Sequence, residues 1–414
     1  MRSELCHYKV NDQIFPSKIL AVLEAQKTLA NLEWYFFDEK LQSANWLIEP
    51  DISLDTFYRM RAQQIRDAYD YVVVFCSGGA DSTNVIKSFI NNNIRVDEVV
   101  AMAPMSGLNN WNWSTTDRSA ANTITETKVA LFPLLDEISK LSPDIKISIS
   151  DYFLDFQEFK TDEWIYELNT GGFIGPTAGV FGRLDKFKHI QDLAEQGKKI
   201  AVVFGIDKPV IRLTTFGSIN YVIADDPVNV PKQPFRKDYP NVDRVLFYYT
   251  PDLPEMMVKQ AHTVAKELFK PHNKFLLDAV KEMSNPPTRN FKESDKLLDR
   301  ILLNSKLRHQ IDRIEKPQAN AIFQRGIVPY IYPTTHSKEL WQCNKVDIKA
   351  GFFPQDVAWF HELHANTRMA EMMASDFTLL YNKISPGYLN AEKTGLAPNF
   401  KTFKIGKISD FQKP

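Results

Sequence analysis

One stretch limits what this chain can fold into: Tyr71-Val-Val-Val-Phe-Cys-Ser-Gly-Gly-Ala-Asp-Ser-Thr-Asn-Val-Ile-Lys-Ser-Phe-Ile90. Val72 to Phe75 form an apolar, β-branched run of strand length, cut off by Ser77-Gly78-Gly79. Beyond the glycines the period changes, because Val85, Ile86, Phe89 and Ile90 fall at helical spacing, with Asp81 and Ser82 placed as N-caps. A second apolar run, Val96 to Ala103, follows. Strand, glycine loop, helix and strand make a βαβ unit, which requires a parallel sheet and a right-handed crossover.

The loop has a physical job open to it. Paired glycines let the backbone approach a ligand and take positive φ, and the helix behind them offers unpaired N–H groups at its positive end. Ser77, Ser82 and Thr83 add hydroxyls, and the result is an anion cradle suited to phosphate. Neither the GxxxxGK[ST] nor the GxGxxG spacing is present. The competing reading is a tight strand–helix turn that binds nothing.

Ser77-Gly78-Gly79-Ala80-Asp81-Ser82 resembles the SGGxDS signature of the PP-loop ATP pyrophosphatases, the adenine-nucleotide α-hydrolase-like superfamily. Such a match arises by chance on the order of once per thousand chains of this length. The resemblance implies an α/β, doubly wound, mainly parallel five-stranded sheet of HUP-like type, with strand order 3-2-1-4-5. It implies that ATP places its β,γ-phosphates in the loop, held by Ser77, Gly78, Gly79, Ala80, Asp81, Ser82 and Thr83, while Asp81 orients the loop or a Mg²⁺. The next strand's carboxyl end would face adenine, at Ala103 and Met105. A substrate oxygen would attack the α-phosphorus, and pyrophosphate would leave.

A second constellation, Gly205-Ile-Asp-Lys-Pro-Val-Ile-Arg212, follows the apolar run Lys199 to Phe204. It partly resembles phosphoadenosine phosphosulfate reductases, where a glycine and basic residues follow this strand; Asp207 and Pro209 depart from that pattern. Lys208 and Arg212 are the candidate catalytic cations, and a solvated turn is the alternative.

Charge and cysteine usage narrow the class. Fifty basic and fifty-one acidic residues leave a net charge of −1, so no global field draws nucleic acid to the chain, although a local basic patch stays open. No apolar run has membrane-spanning length and no signal-peptide pattern is visible. The three cysteines, Cys6, Cys76 and Cys343, form no CxxC pair, which fits a reducing, cytoplasmic setting.

Read in order, residues 1–69 form an N-terminal extension ending in a helix over 51–69, capped by Ser53, with Arg59, Arg61 and Arg66 on a solvated face. Residues 70–253 form the nucleotide-binding α/β domain, with further strands at Lys146–Asp151, Lys199–Gly205, Ile219–Ala224 and Val245–Tyr249. Residues 254–414 read as mostly helical and are expected to pack on the carboxyl edge of the sheet. Gly171 to Gly182 has no phosphate-binding spacing, and His361-Glu-Leu-His364 is not a zincin motif.

The function expected from the resemblance is adenylation of a substrate by ATP with Mg²⁺ and release of pyrophosphate, in the manner of an amide- or amine-forming ligase. A reductase or sulfurtransferase relative, which would need Cys343, and a nucleotide-binding module without turnover are the alternatives. Valine at Gly79 is expected to block the phosphates and to disfavour positive φ. Asn at Asp81 is expected to keep the N-cap, and with it the fold to within about 1 kcal/mol.

Overall fold

The computed structural model describes residues 7–15, 18–103, 105, 127–151, 184–206, 208–224, 237, 239–284, 319–332 and 400–412. Asp207, Cys343, the Gly171–Gly182 stretch, the 361–364 histidines and most of the expected C-terminal helices lie outside them.

The chain opens with strands β1 (His7–Val10) and β2 (Gln13–Phe15), then α1 (Lys18–Thr28), β3 (Leu32–Tyr35), α2 (Asp38–Ser43) and α3 (Leu54–Ala68). Strands β2, β1 and β3 form a small antiparallel sheet. Its first hairpin turns at Asn11, at φ 53°, a residue that tolerates the left-handed region. Ser53 caps α3, accepting from the Thr56 amide at 3.2 Å.

The centre is a five-stranded, all-parallel sheet: β4 (Tyr71–Cys76), β5 (Glu98–Ala103), β6 (Lys146–Asp151), β7 (Ile200–Phe204) and β10 (Val242–Leu246). The strands lie in the order β6-β5-β4-β7-β10. Alternate β4 residues serve two cores. Val72, Val74 and Cys76 join α4 (Ala80–Ile90) and α5 (Phe132–Leu141) on one face, and Val73 and Phe75 join α6 (Lys188–Glu195) on the other. A buried, β-branched strand with helices on both faces has no solvent side, which is why the run reads as continuously apolar.

A second antiparallel sheet holds β8 (Val210–Leu213), β9 (Ser218–Ala224) and β11 (Phe400–Lys407), in the order β11-β9-β8. The 219–224 segment therefore pairs outside the main sheet, and β10 supplies the fifth parallel strand. The remaining helices are α7 (Pro254–Leu268), α8 (Lys274–Ser284), α9 (Ala319–Gly326), α10 (Val328–Ile331) and α11 (Ile408–Phe411). The residues after 254 thus include a strand, β11, that pairs with the middle of the chain.

Arg59 is exposed as expected, but the other two arginines of α3 correct the expectation of a solvated face. Arg61 is 5% exposed, donates to the Leu246 carbonyl at 3.0 Å and pairs with Asp252 at 3.3 Å. Arg66 pairs at 2.6 Å with buried Asp97, which also accepts from the Val72 amide at 2.7 Å. Long guanidinium arms let a helix face that looks polar in sequence pack against strand ends.

Packing of α7 on the N-terminal region has a pH signature. His262 donates from Nε2 to the Trp46 carbonyl at 2.9 Å, and burial pushes its imidazole below the ordinary value of 6.5. Glu49, Lys259 and Lys266 are the charged groups that face it. The unfolded chain binds the proton more readily here, so stability is lost as pH falls through and below about 6.5. Urea midpoints should therefore decline from pH 7 toward pH 5, and His262→Gln should flatten part of that slope.

Candidate functional site

Strand order reverses between β4 and β7: the chain leaves β4 outward to β5 and β6, then returns to β7 on β4's other side. In open α/β sheets the crevice outside the carboxyl ends at such a point is where ligands bind. Ser77-Gly78-Gly79 leaves β4 there, and Gly205-Ile206 leaves β7 there.

The loop turns on Gly78, at φ +83°. A Cβ built on it would lie 2.6 Å from the Leu131 N and Cα, at the end of a π-helical turn over Thr127–Leu131. Gly79 is the N-cap of α4, at φ −66°, and makes no side-chain cap bond. Two expectations are corrected: positive φ is needed at Gly78 rather than Gly79, and Asp81 and Ser82 belong to the first turn of α4 rather than capping it.

Ser77 is exposed, and its Oγ accepts from the Gly79 amide at 3.3 Å. Ser82 and Thr83 are buried and donate to loop carbonyls, Ser82 to Gly79 O at 3.2 Å and Thr83 to Gly78 O at 3.3 Å. Their hydroxyls hold the turn together. The first intrahelical bond of α4 runs from the Thr83 amide to Gly79 O at 3.0 Å, so the amides of Ala80, Asp81 and Ser82 precede the ladder, at the helix's positive end.

Across the crevice, Lys208 donates from Nζ to Asp81 Oδ2, and the two side chains are 13% and 23% exposed. Gly205 permits this approach, because a Cβ there would meet the Asp81 carbonyl carbon and oxygen at 3.0 Å. Tyr249 donates to the Lys208 carbonyl at 3.0 Å. Two residues that sequence reading named separately are thus brought together.

Arg212 is placed elsewhere, on β8. It donates to the Ile211 carbonyl at 3.4 Å and approaches Met283 Sδ at 3.3 Å, and burial lowers its guanidinium pKa. Ala103 is wholly buried and Met105 half-buried, so of the adenine candidates Met105 presents the surface.

Sequence reading missed a layer of tyrosines behind the loop. Tyr248 donates to the Asp81 main-chain carbonyl at 2.9 Å and accepts from Asn84 Nδ2 at 2.9 Å. Tyr332 donates to Asp81 Oδ1. Burial raises both phenols well above their ordinary range, with the Asp81 charge a further cause, so each stays a protonated donor. For Tyr248 a signal existed, since Phe247-Tyr248-Tyr249 follows the last parallel strand at the same sheet edge.

The donor set fits a polyphosphate: helix-end amides, an exposed hydroxyl and a lysine lie at the same edge of the sheet. It does not form a metal cage, because among the described residues no group of three or more His, Cys, Asp or Glu could hold a metal ion. Among the described residues, no helix is long and apolar enough to cross a membrane. No protein-family model matches this chain, and no curated protein matches it.

Proposed function

We propose that this chain binds ATP in the crevice between β4 and β7 and cleaves it at the α-phosphate, adenylating a substrate and releasing pyrophosphate. The observation that carries the reading is the Asp81–Lys208 pair, which joins the SGGADS loop to the strand end across the switch point. The order β6-β5-β4-β7-β10 supports the HUP-like, 3-2-1-4-5 arrangement that the resemblance implies.

In this reading the amides at the start of α4 and the Ser77 hydroxyl bind the β,γ-phosphates. A magnesium ion would accompany the nucleotide, held by its phosphates with Asp81 as the protein carboxylate, and would supply charge neutralisation. A substrate oxygen forms the bond to the α-phosphorus, the α–β bridging bond breaks, and its electron pair leaves with pyrophosphate. Lys208 stabilises that leaving charge once its ammonium turns from Asp81 to the phosphate. Met105 offers surface to the base, and the substrate belongs to the class of acids or amides that an amine can later attack.

Nucleotide binding without turnover is a second reading with its own support: both Asp81 oxygens already have partners within the chain, and Ser82 and Thr83 are committed to loop carbonyls. Pyrophosphate release separates the two.

Calorimetric titration with Mg·ATP tests both. The wild type should bind at micromolar strength or weaker, a free energy of about −8 kcal/mol or smaller in magnitude. Ser77→Asp keeps an acceptor for the Gly79 amide and leaves melting unchanged, but it sets a negative charge where phosphate would sit. It should weaken binding by about tenfold or more. Equal affinity in the two proteins, or no binding by the wild type, removes the nucleotide reading.

A further inference from the structure

Tyr332 lies 251 residues from Asp81 in sequence, yet its hydroxyl donates to the Asp81 carboxylate. The contact is built from several sides. The Tyr332 ring is wholly buried, 5.3 Å from the ring of Tyr248 and 6.4 Å from that of Tyr58. Tyr58 donates to the carbonyl of the preceding residue, Ile331, and accepts from Gln260 Nε2 at 3.0 Å. Backbone and ring are therefore both held where the phenol reaches the Asp81 carboxylate, with the Tyr248 hydroxyl as a further side-chain partner.

That direction is informative by contrast with its neighbour. Tyr58, equally buried, directs its hydroxyl to a neutral backbone carbonyl, which suffices for a core phenol. Tyr332 directs its hydroxyl to the carboxylate that also holds Lys208 at the mouth of the crevice. With Oδ1 occupied by the phenol, Asp81 offers the ammonium one oxygen, Oδ2, rather than two. Without the phenol, the carboxylate can turn both oxygens onto Lys208 and hold it away from the phosphates.

We propose that Tyr332 is a positioning residue of this site, orienting Asp81 so that Lys208 is available to nucleotide phosphate. The segment Ile327–Tyr332 thereby sets phosphate affinity from a part of the chain remote in sequence from the loop. The inference rests on the nucleotide reading above.

The test is a double-mutant cycle on Mg·ATP affinity in the full chain, with Tyr332→Phe, Asp81→Asn and the pair. Tyr332→Phe should weaken binding about fivefold and should have no further effect once Asp81 is Asn. Tyr69→Phe, which removes a phenol–carboxylate bond to Asp243 away from the loop, is the control and should leave affinity unchanged at a temperature where both variants are folded. Wild-type affinity in Tyr332→Phe, or the same loss with and without Asp81, overturns the inference while the nucleotide reading stands. Failure of the wild type to bind Mg·ATP takes down that reading and this inference with it. If Tyr332→Phe does not fold, wild-type protein labelled at tyrosine ¹³Cζ answers instead: the Tyr332 resonance should move when Mg·ATP is added and that of Tyr69 should not. A Tyr332 signal that stays in place overturns the inference.

Discussion

Valine at position 78 should come close to abolishing the fold, with an expected loss of about 3–5 kcal/mol in urea unfolding. Two independent costs add there. The backbone stands at φ +83°, which an L side chain resists. The new Cβ would also lie 2.6 Å from the backbone of Leu131, which cannot rotate away as a flexible side chain would. A loss of that size is a large share of the stability an ordinary domain possesses. Gly79, at φ −66°, places no such demand on its own backbone. Urea curves of Gly78→Val beside wild type decide the point, and a difference under about 1 kcal/mol would show that the Leu131 turn yields to the loop.

Asp81→Asn should cost about 2–3 kcal/mol, well beyond the near-neutral effect that an N-cap would predict. Asn can still accept from Tyr332, but its other end is an amide, and Lys208, 13% exposed, loses the Asp81 carboxylate. The penalty is mainly the desolvated ammonium, so Asp81→Asn combined with Lys208→Met should recover part of it. Thermal and urea melts of the single and double variants supply the measurement. A melt of Asp81→Asn indistinguishable from wild type would mean that the pair contributes nothing to the fold.

What the sequence made legible follows from period and punctuation. The runs at 71–76, 146–151 and 200–204 are apolar or alternating and sharply bounded, and each lies in a strand of the parallel sheet. Glycine and the β-branched run were enough to locate the loop. Which glycine bends was not legible, because positive φ at Gly78 answers to Leu131, more than fifty positions away in the chain. Strand β8 escaped notice because Val210-Ile-Arg-Leu213 is too short to show a period, and that placed Arg212 on the wrong sheet. Strand β1 did carry a signal, His7-Tyr-Lys-Val10 followed by Asn11-Asp12, a turn pair between two short alternating runs. The tyrosines behind Asp81 come from separate regions of the sequence, and only tertiary packing brings them together.

The pairing of β11 with β9 has a consequence for how the chain is made. During synthesis β8 and β9 emerge together and can close as a local hairpin, but Phe400–Lys407 arrives long afterwards. Until it does, Ser218-Ile-Asn-Tyr-Val-Ile-Ala224 holds one unsatisfied row of amides and carbonyls along a β-branched, nearly uncharged strand. Such an edge is a template for association with other nascent chains. The late strand acts as a stopper, and any fragment that ends before Phe400 keeps the edge open.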